Sequence, residues 1–137
     1  MALLDSLAVV VHFVFAGLWA GTVAYAAAIV TGTGDIGTVA RERIADRLRS
    51  ISRTSAVLTL LSGGYLASGF ASSYFYSSTR GYLLSAMVLL WLVLMVMVEI
   101  GASRLVDGEE SGPTVLIGAS VVAILLLLDA GVVSTMG

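Results

Sequence analysis

His12 is the only histidine among 137 residues, and it stands inside an apolar run, VVVHFVFAGLWAGTV over residues 9–23. An imidazole surrounded by hydrocarbon side chains needs a partner, because an unpaired polar ring in an apolar medium costs free energy. Few other residues could share chemistry with it. Asp129 is the acid of the last apolar run, Met87 brings a thioether from the third, and Trp19 follows His12 by two helical turns. Histidine with a carboxylate in a membrane can accept and pass a proton. Histidine with a carboxylate or a thioether beside it can ligate a soft cation, copper foremost. Histidine alone can be the axial ligand of a haem, although one histidine gives a bis-histidine haem only when two subunits share it. The fourth reading is a polar clasp that fixes two helices and binds nothing. Trp19 can line such a site or simply pack against small residues of the second helix.

Other chemistries are excluded by what is missing. The chain has no cysteine, so disulfides, thiolate metal sites and thiol catalysis are ruled out. It carries no glycine-rich phosphate loop, no Ser–His–Asp order and no H-E-x-x-H, and enzyme activity is not expected. The arginines cluster beside apolar runs, where topology explains them better than a nucleic-acid surface does.

The elements that must position His12 follow from composition. Hydrophobic residues make up 58% of the chain and charged ones 12%, against roughly a quarter charged in soluble domains. Four apolar runs, at about 7–30, 54–72, 82–103 and 114–134, approach or exceed the roughly 20 residues that cross a bilayer. The expected fold is all-α, a four-transmembrane-helix bundle forming one domain over 1–137, multi-pass in the cell membrane and in contact with lipid. The N-terminal run lacks a basic leader and carries Asp5, so it reads as a retained helix with Asp5 or Ser6 as its cap. Thr31-Gly-Thr-Gly-Asp35 marks a loop, and Pro113 suits the start of the last helix.

Residues 38–53, TVARERIADRLRSISR, space Val39, Ile44, Leu48 and Ile51 as an amphipathic helix that runs into the second span. Its arginines have two readings, contact with anionic lipid and the setting of orientation. Arg41, Arg43, Arg47, Arg49 and Arg53 fall in the first loop and Arg104 in the third, while Arg80 alone falls in the second. The positive-inside rule puts the six in the cytoplasm and both termini outside.

That direction relates the polar residues by depth. At 1.5 Å per residue, His12 lies five residues below the outer end of span one and Asp129 five before the outer end of span four. The two share a layer of the outer leaflet, with Met87 and residues 65–68 close to it. A hydrogen bond between His12 and Asp129, direct or through water, is therefore expected. Glu99 is expected to pair with Arg104 or Arg53 near the cytoplasmic side, and Met87, Met95 and Met97 to pack. Gly17-x-x-x-Gly21 with Ala16, Ala20 and Ala24, and the glycine-rich second half of span two, predict close helix contacts within the bundle or between subunits.

His12-x-x-x-Ala16-x-x-Trp19-x-Gly21, in a first membrane helix followed by an arginine-rich loop and a small-residue second helix, resembles the CopD-like (copper resistance D type) group of small integral membrane proteins. The general plan covers nearly all the chain, and the specific match about ten residues of the first helix. The resemblance implies a membrane protein of copper handling or transport, with His12 the position carried over. The chain has no second histidine and no Met-x-x-Met run in an outer loop. A site would be completed by several copies in a homo-oligomer or by a larger partner. The alternatives are an accessory or scaffold subunit of a membrane complex and a haem-b protein.

Overall fold

Runs of Leu, Val, Ala and Ile free of proline form helix wherever their length allows, because within a bilayer each backbone N–H and C=O must find a partner inside its own segment. The computed structural model, which describes residues 3–32, 34, 36–71 and 73–136, contains helices and no strand among them. They are α1 (Leu3–Gly32), α2 (Thr38–Ala67), α3 (Tyr74–Ser77), α4 (Thr79–Val106) and α5 (Ser111–Thr135). α1, α4 and α5 are long and apolar enough to cross a membrane. α2 is as long as α1, at 30 residues, but it carries five arginines between Arg41 and Arg53, and the part beyond them is rich in Ser, Thr and Gly.

The long helices run further than the apolar stretches suggest, each continuing a few residues into polar sequence. The basic segment and the second apolar run form one unbroken helix, as expected, and that helix ends at Ala67, short of the expected end. Ser72, where the span was expected to stop, lies outside the described residues, as do Thr33 and Asp35 of the first loop. The tyrosine-rich loop contains a short helix, α3, that was not expected. It lies so close to α4 that a Cβ on Gly81 would clash with the Tyr74 carbonyl oxygen. Ser78 caps α4 by accepting a hydrogen bond from the Gly81 N–H at 3.0 Å. Pro113 falls in the first turn of α5, where its missing N–H is no loss.

The four long helices pack as a ring. α1 lies against α2 and α5, and α4 lies against the same two. Partners across each contact run antiparallel. Trp19 reaches Ser52 while His12 reaches Ser62, and Arg49 reaches Ser103 while Trp91 reaches Thr59. Six arginines gather at one end. Arg53 holds Glu99 through two bonds of 2.8 and 3.0 Å, Arg49 stands 3.6 Å from the same carboxylate, and Arg104 pairs with Glu109 at 3.7 Å. Of the two expected partners of Glu99, Arg53 is the one that binds it. Arg80 is at the opposite end, 5.7 Å from the Phe70 ring centroid.

Buried apolar residues concentrate toward the six-arginine end. They are residues 19–30 of α1, 45–56 of α2, 94–105 of α4 and 116–123 of α5. Alanines from all four helices belong to this core, among them Ala27, Ala56, Ala102 and Ala119. Small side chains let helices approach closely, and in hydrocarbon that packing, with little hydrophobic gain between helices, holds them together. Gly101 and Gly112 do the same at the α4–α5 turn, where added Cβ atoms would meet Leu116 and Leu105 within 3 Å. The expected contact through Gly17 and Gly21 is not made inside the bundle. A Cβ at either would meet nothing within 4 Å, and Gly17, Gly21, Ala24 and Ala28 form an exposed stripe on the outside of α1.

Candidate functional site

The polar seam of the molecule is on α2. Ser52, Ser55, Thr59 and Ser62 recur at i, i+3, i+7 and i+10, which puts them on one helical face, and all four are buried. A hydroxyl in hydrocarbon is cheapest when it donates to the carbonyl one turn back. Thr59 does so to Ser55 at 2.7 Å and Ser62 to Leu58 at 2.6 Å. Their remaining acceptor capacity faces the neighbouring helices, and three rings dock on it.

Trp19, 2% exposed, donates its indole N–H to Ser52 Oγ at 2.8 Å. Trp91 of α4 donates to the Ala56 carbonyl at 3.2 Å and to Thr59 Oγ1 at 3.3 Å. The two indoles meet edge to face across the ring of helices, 6.4 Å between centroids at 74°, a geometry favoured by the aromatic quadrupole. One turn and more toward the opposite end, His12 Nδ1 lies 3.1 Å from both the Thr59 carbonyl and Ser62 Oγ.

These partners assign the histidine tautomer. A carbonyl can only accept. Ser62 has already given its single hydrogen to Leu58, so it too accepts. Nδ1 therefore carries the proton, shared between two oxygens, and the neutral ring keeps its lone pair on Nε2. Nε2 has no hydrogen-bond partner among the described residues. Gly63 makes the approach possible, because a Cβ there would stand 2.9 Å from His12 Cε1. The small-residue second half of α2 thus admits a side chain where a neighbouring backbone was expected.

Beyond the ring lies a cavity of about 180 Å³ enclosed by all four long helices and Phe75 of α3. His12, Trp19 and Met87, three of the four site residues expected from sequence, share its wall with Thr59, Trp91 and Leu94. The lining is otherwise apolar, and His12 is its sole ionisable group. Leu60 of α2 and Val88 of α4 line it too and are exposed on the outer surface.

Asp129 is the correction. It is absent from the cavity wall and makes no hydrogen bond with His12, and its Oδ2 is buried with no partner among the described residues. Depth alone was sound. Ser120 of α5 reaches the Val23 carbonyl of α1 at 3.5 Å, so nine residues further along each antiparallel helix Asp129 stands level with residue 14, about 3 Å from the His12 layer. Rotation about the helix axis separates them. Asp129 follows Gly118 by 11 residues, three turns, and so shares its stripe. A Cβ on Gly118 would meet Met97 of α4 at 2.7 Å. That stripe faces α4, while His12 turns from α1 toward α2.

The carboxylate also leaves the metal set. No group of three or more His, Asp or Glu suited to a metal ion occurs among the described residues. His12 and Met87 remain as the ligand types that share the cavity. Ser52, Thr59, Ser62, Gly63 and Trp91 were not foreseen. Their signal was present in the sequence, since hydroxyls spaced 3, 4 and 3 along a helix packed among apolar ones mark a buried polar face.

Compared with protein-family models, with curated proteins and with solved structures, the chain gives no match.

Proposed function

We propose that the chain is a four-span integral protein of the cell membrane, both termini outside, whose outer-leaflet cavity binds one ring of a membrane-dissolved molecule through a hydrogen bond to His12 Nε2. The observation that carries this is the double acceptor at Nδ1, which leaves the Nε2 lone pair as the one polar feature of an apolar cavity. α2 joins three membrane-length helices as the fourth wall of the ring, and the six arginines at one end support the orientation. An apolar cavity of ~150 Å³ is known to hold benzene, so a space of about 180 Å³ suits one six-membered ring. A phenol or quinol head group supplies the matching O–H. Leu60 and Val88, exposed at the rim, favour entry from the bilayer.

The test uses a short-chain alkylphenol and its methyl ether as probes, read by fluorescence of Trp19 and Trp91 in the cavity wall. The phenol binds roughly tenfold more tightly than the ether, the worth of one hydrogen bond, and His12→Ala removes that difference. Equal affinity for both probes in the wild type contradicts the proposal.

Met87, which lines the same cavity as His12, favours a second reading, copper(I) held between an imidazole and a thioether, in keeping with the CopD-like resemblance. Metal content of the purified protein, compared with His12→Ala and Met87→Leu, separates the two. Copper that is unchanged in both variants removes this reading. The exposed Gly17–Gly21–Ala24–Ala28 stripe supports assembly, either as a homo-oligomer or as a subunit of a larger membrane complex.

A further inference from the structure

We infer that a groove between α1 and α2 at the six-arginine end is a binding site for an anionic phospholipid, with Arg43 and Arg47 holding the phosphate. The groove has a volume of about 500 Å³ and is separate from the His12 cavity, sharing no lining residue with it. Its α1 wall presents Tyr25, 70% exposed, and Ile29. Its α2 wall presents Arg43, Ile44, Arg47 and Ile51. Along α2 from Arg43 to Ile51, eight residues or about 12 Å, the two arginines stand in the first half, with Ile44 between them, and Leu48 and Ile51 in the second. An amphiphile has the same gradient.

The state of the arginines distinguishes this site from a general basic surface. Arg49 and Arg53 are engaged by Glu99, and Arg104 by Glu109. Arg43 and Arg47 make no ion pair or hydrogen bond among the described residues, and both line the groove. They are one turn apart on the same face, a spacing at which two guanidiniums can grip one phosphate from two sides. Glu42 and Asp46, the acids beside them on α2, do not line the groove, and no carboxylate does. An unpaired guanidinium pair at the mouth of an apolar slot, on a helix that lies against a membrane-length one, is complementary to a lipid that carries its negative charge at the head.

The experiment compares lipid retained by the full chain after reconstitution in phosphatidylcholine with one-fifth phosphatidylglycerol, measured by native mass spectrometry. The wild type retains phosphatidylglycerol over phosphatidylcholine by roughly thirtyfold, given about 1 kcal/mol for each of two interfacial cations. Arg43→Gln with Arg47→Gln abolishes the preference, and Arg80→Gln at the opposite end keeps it. Circular dichroism confirms that each variant remains helical, and if the double variant unfolds, the single substitutions are compared in its place. No preference in the wild type, or one that survives in the variants lacking these arginines, overturns the inference. Dimers that form in the wild type through this face and vanish in the double variant overturn it as well, by assigning the groove to a second copy.

Discussion

The same four helices build two different halves. Toward the six-arginine end every long helix contributes buried apolar residues, and alanines and glycines bring the backbones together. Toward the other end α1 has no buried residue before Trp19, α2 buries only Thr59 and Ser62 after Ala56, and α4 buries only Gly81 before Leu94. α5 buries only Val133 after Ala123. The cavity lies in this second half. The lesson concerns division of labour. Tight packing at one end holds the bundle, so the other end can leave space between helices and present a single imidazole to it.

Substitutions on one helix can break or sharpen that contrast. Leu116 is fully buried in the packed half of α5, and Leu127 is an exposed rim residue of the cavity on the same helix. Leu116→Ala is expected to cost about 2–5 kcal/mol, and Leu127→Ala no more than about 0.5 kcal/mol, measured by unfolding in mixed micelles. Equal costs would mean that the two halves are packed alike. Ser52→Ala comes next. It strips the buried Trp19 N–H of its acceptor, at about 1–3 kcal/mol, and Trp19→Phe in the same background recovers much of that loss.

Smaller effects are expected where the neighbours can give. Gly63→Ala puts a methyl 2.9 Å from His12 Cε1, and the ring can swing into the cavity, so the loss is near the low end for overpacking, about 1 kcal/mol. Its clearer signature is weaker probe binding. Gly131→Ala, with open space around it and no place in the cavity wall, leaves probe binding unchanged. Glu99→Gln removes the carboxylate that Arg53 and Arg49 share at the packed end. Half-exposed pairs are screened by salt, so a slight drop in Tm is expected at low ionic strength and none in high salt.

Much of this was legible in the chain. Apolar run lengths located the helices, the arginines grouped at one end as their loops required, and His12, Trp19 and Met87 proved to share a wall. Depth could be counted at a constant rise per residue, and it correctly placed Asp129 near the His12 layer. Rotation could not be obtained that way. The apolar faces of α1, α4 and α5 are hydrophobic all round, so nothing in their periodicity states which side meets a neighbour. Asp129 was therefore paired with the wrong helix. α2 is the exception, because its hydroxyls mark one face. Counting along Ser52, Ser55, Thr59 and Ser62 would have pointed to it as the partner of His12. The glycine pair of α1 left open a contact within the bundle or between subunits, and only the first is absent from the fold, since a small-residue ridge does not tell inside from outside.

A single histidine makes the deciding measurement unambiguous. In ¹⁵N-labelled protein in bilayers, the two imidazole nitrogens report which one carries the proton. Nδ1 is expected to be protonated and Nε2 bare, with the Nε2 resonance moving on addition of the alkylphenol and remaining in place with its methyl ether. A proton on Nε2 in a neutral ring, or an imidazolium that reverts when Asp129→Asn is introduced, would contradict the arrangement and return His12 to a pair with the acid of α5.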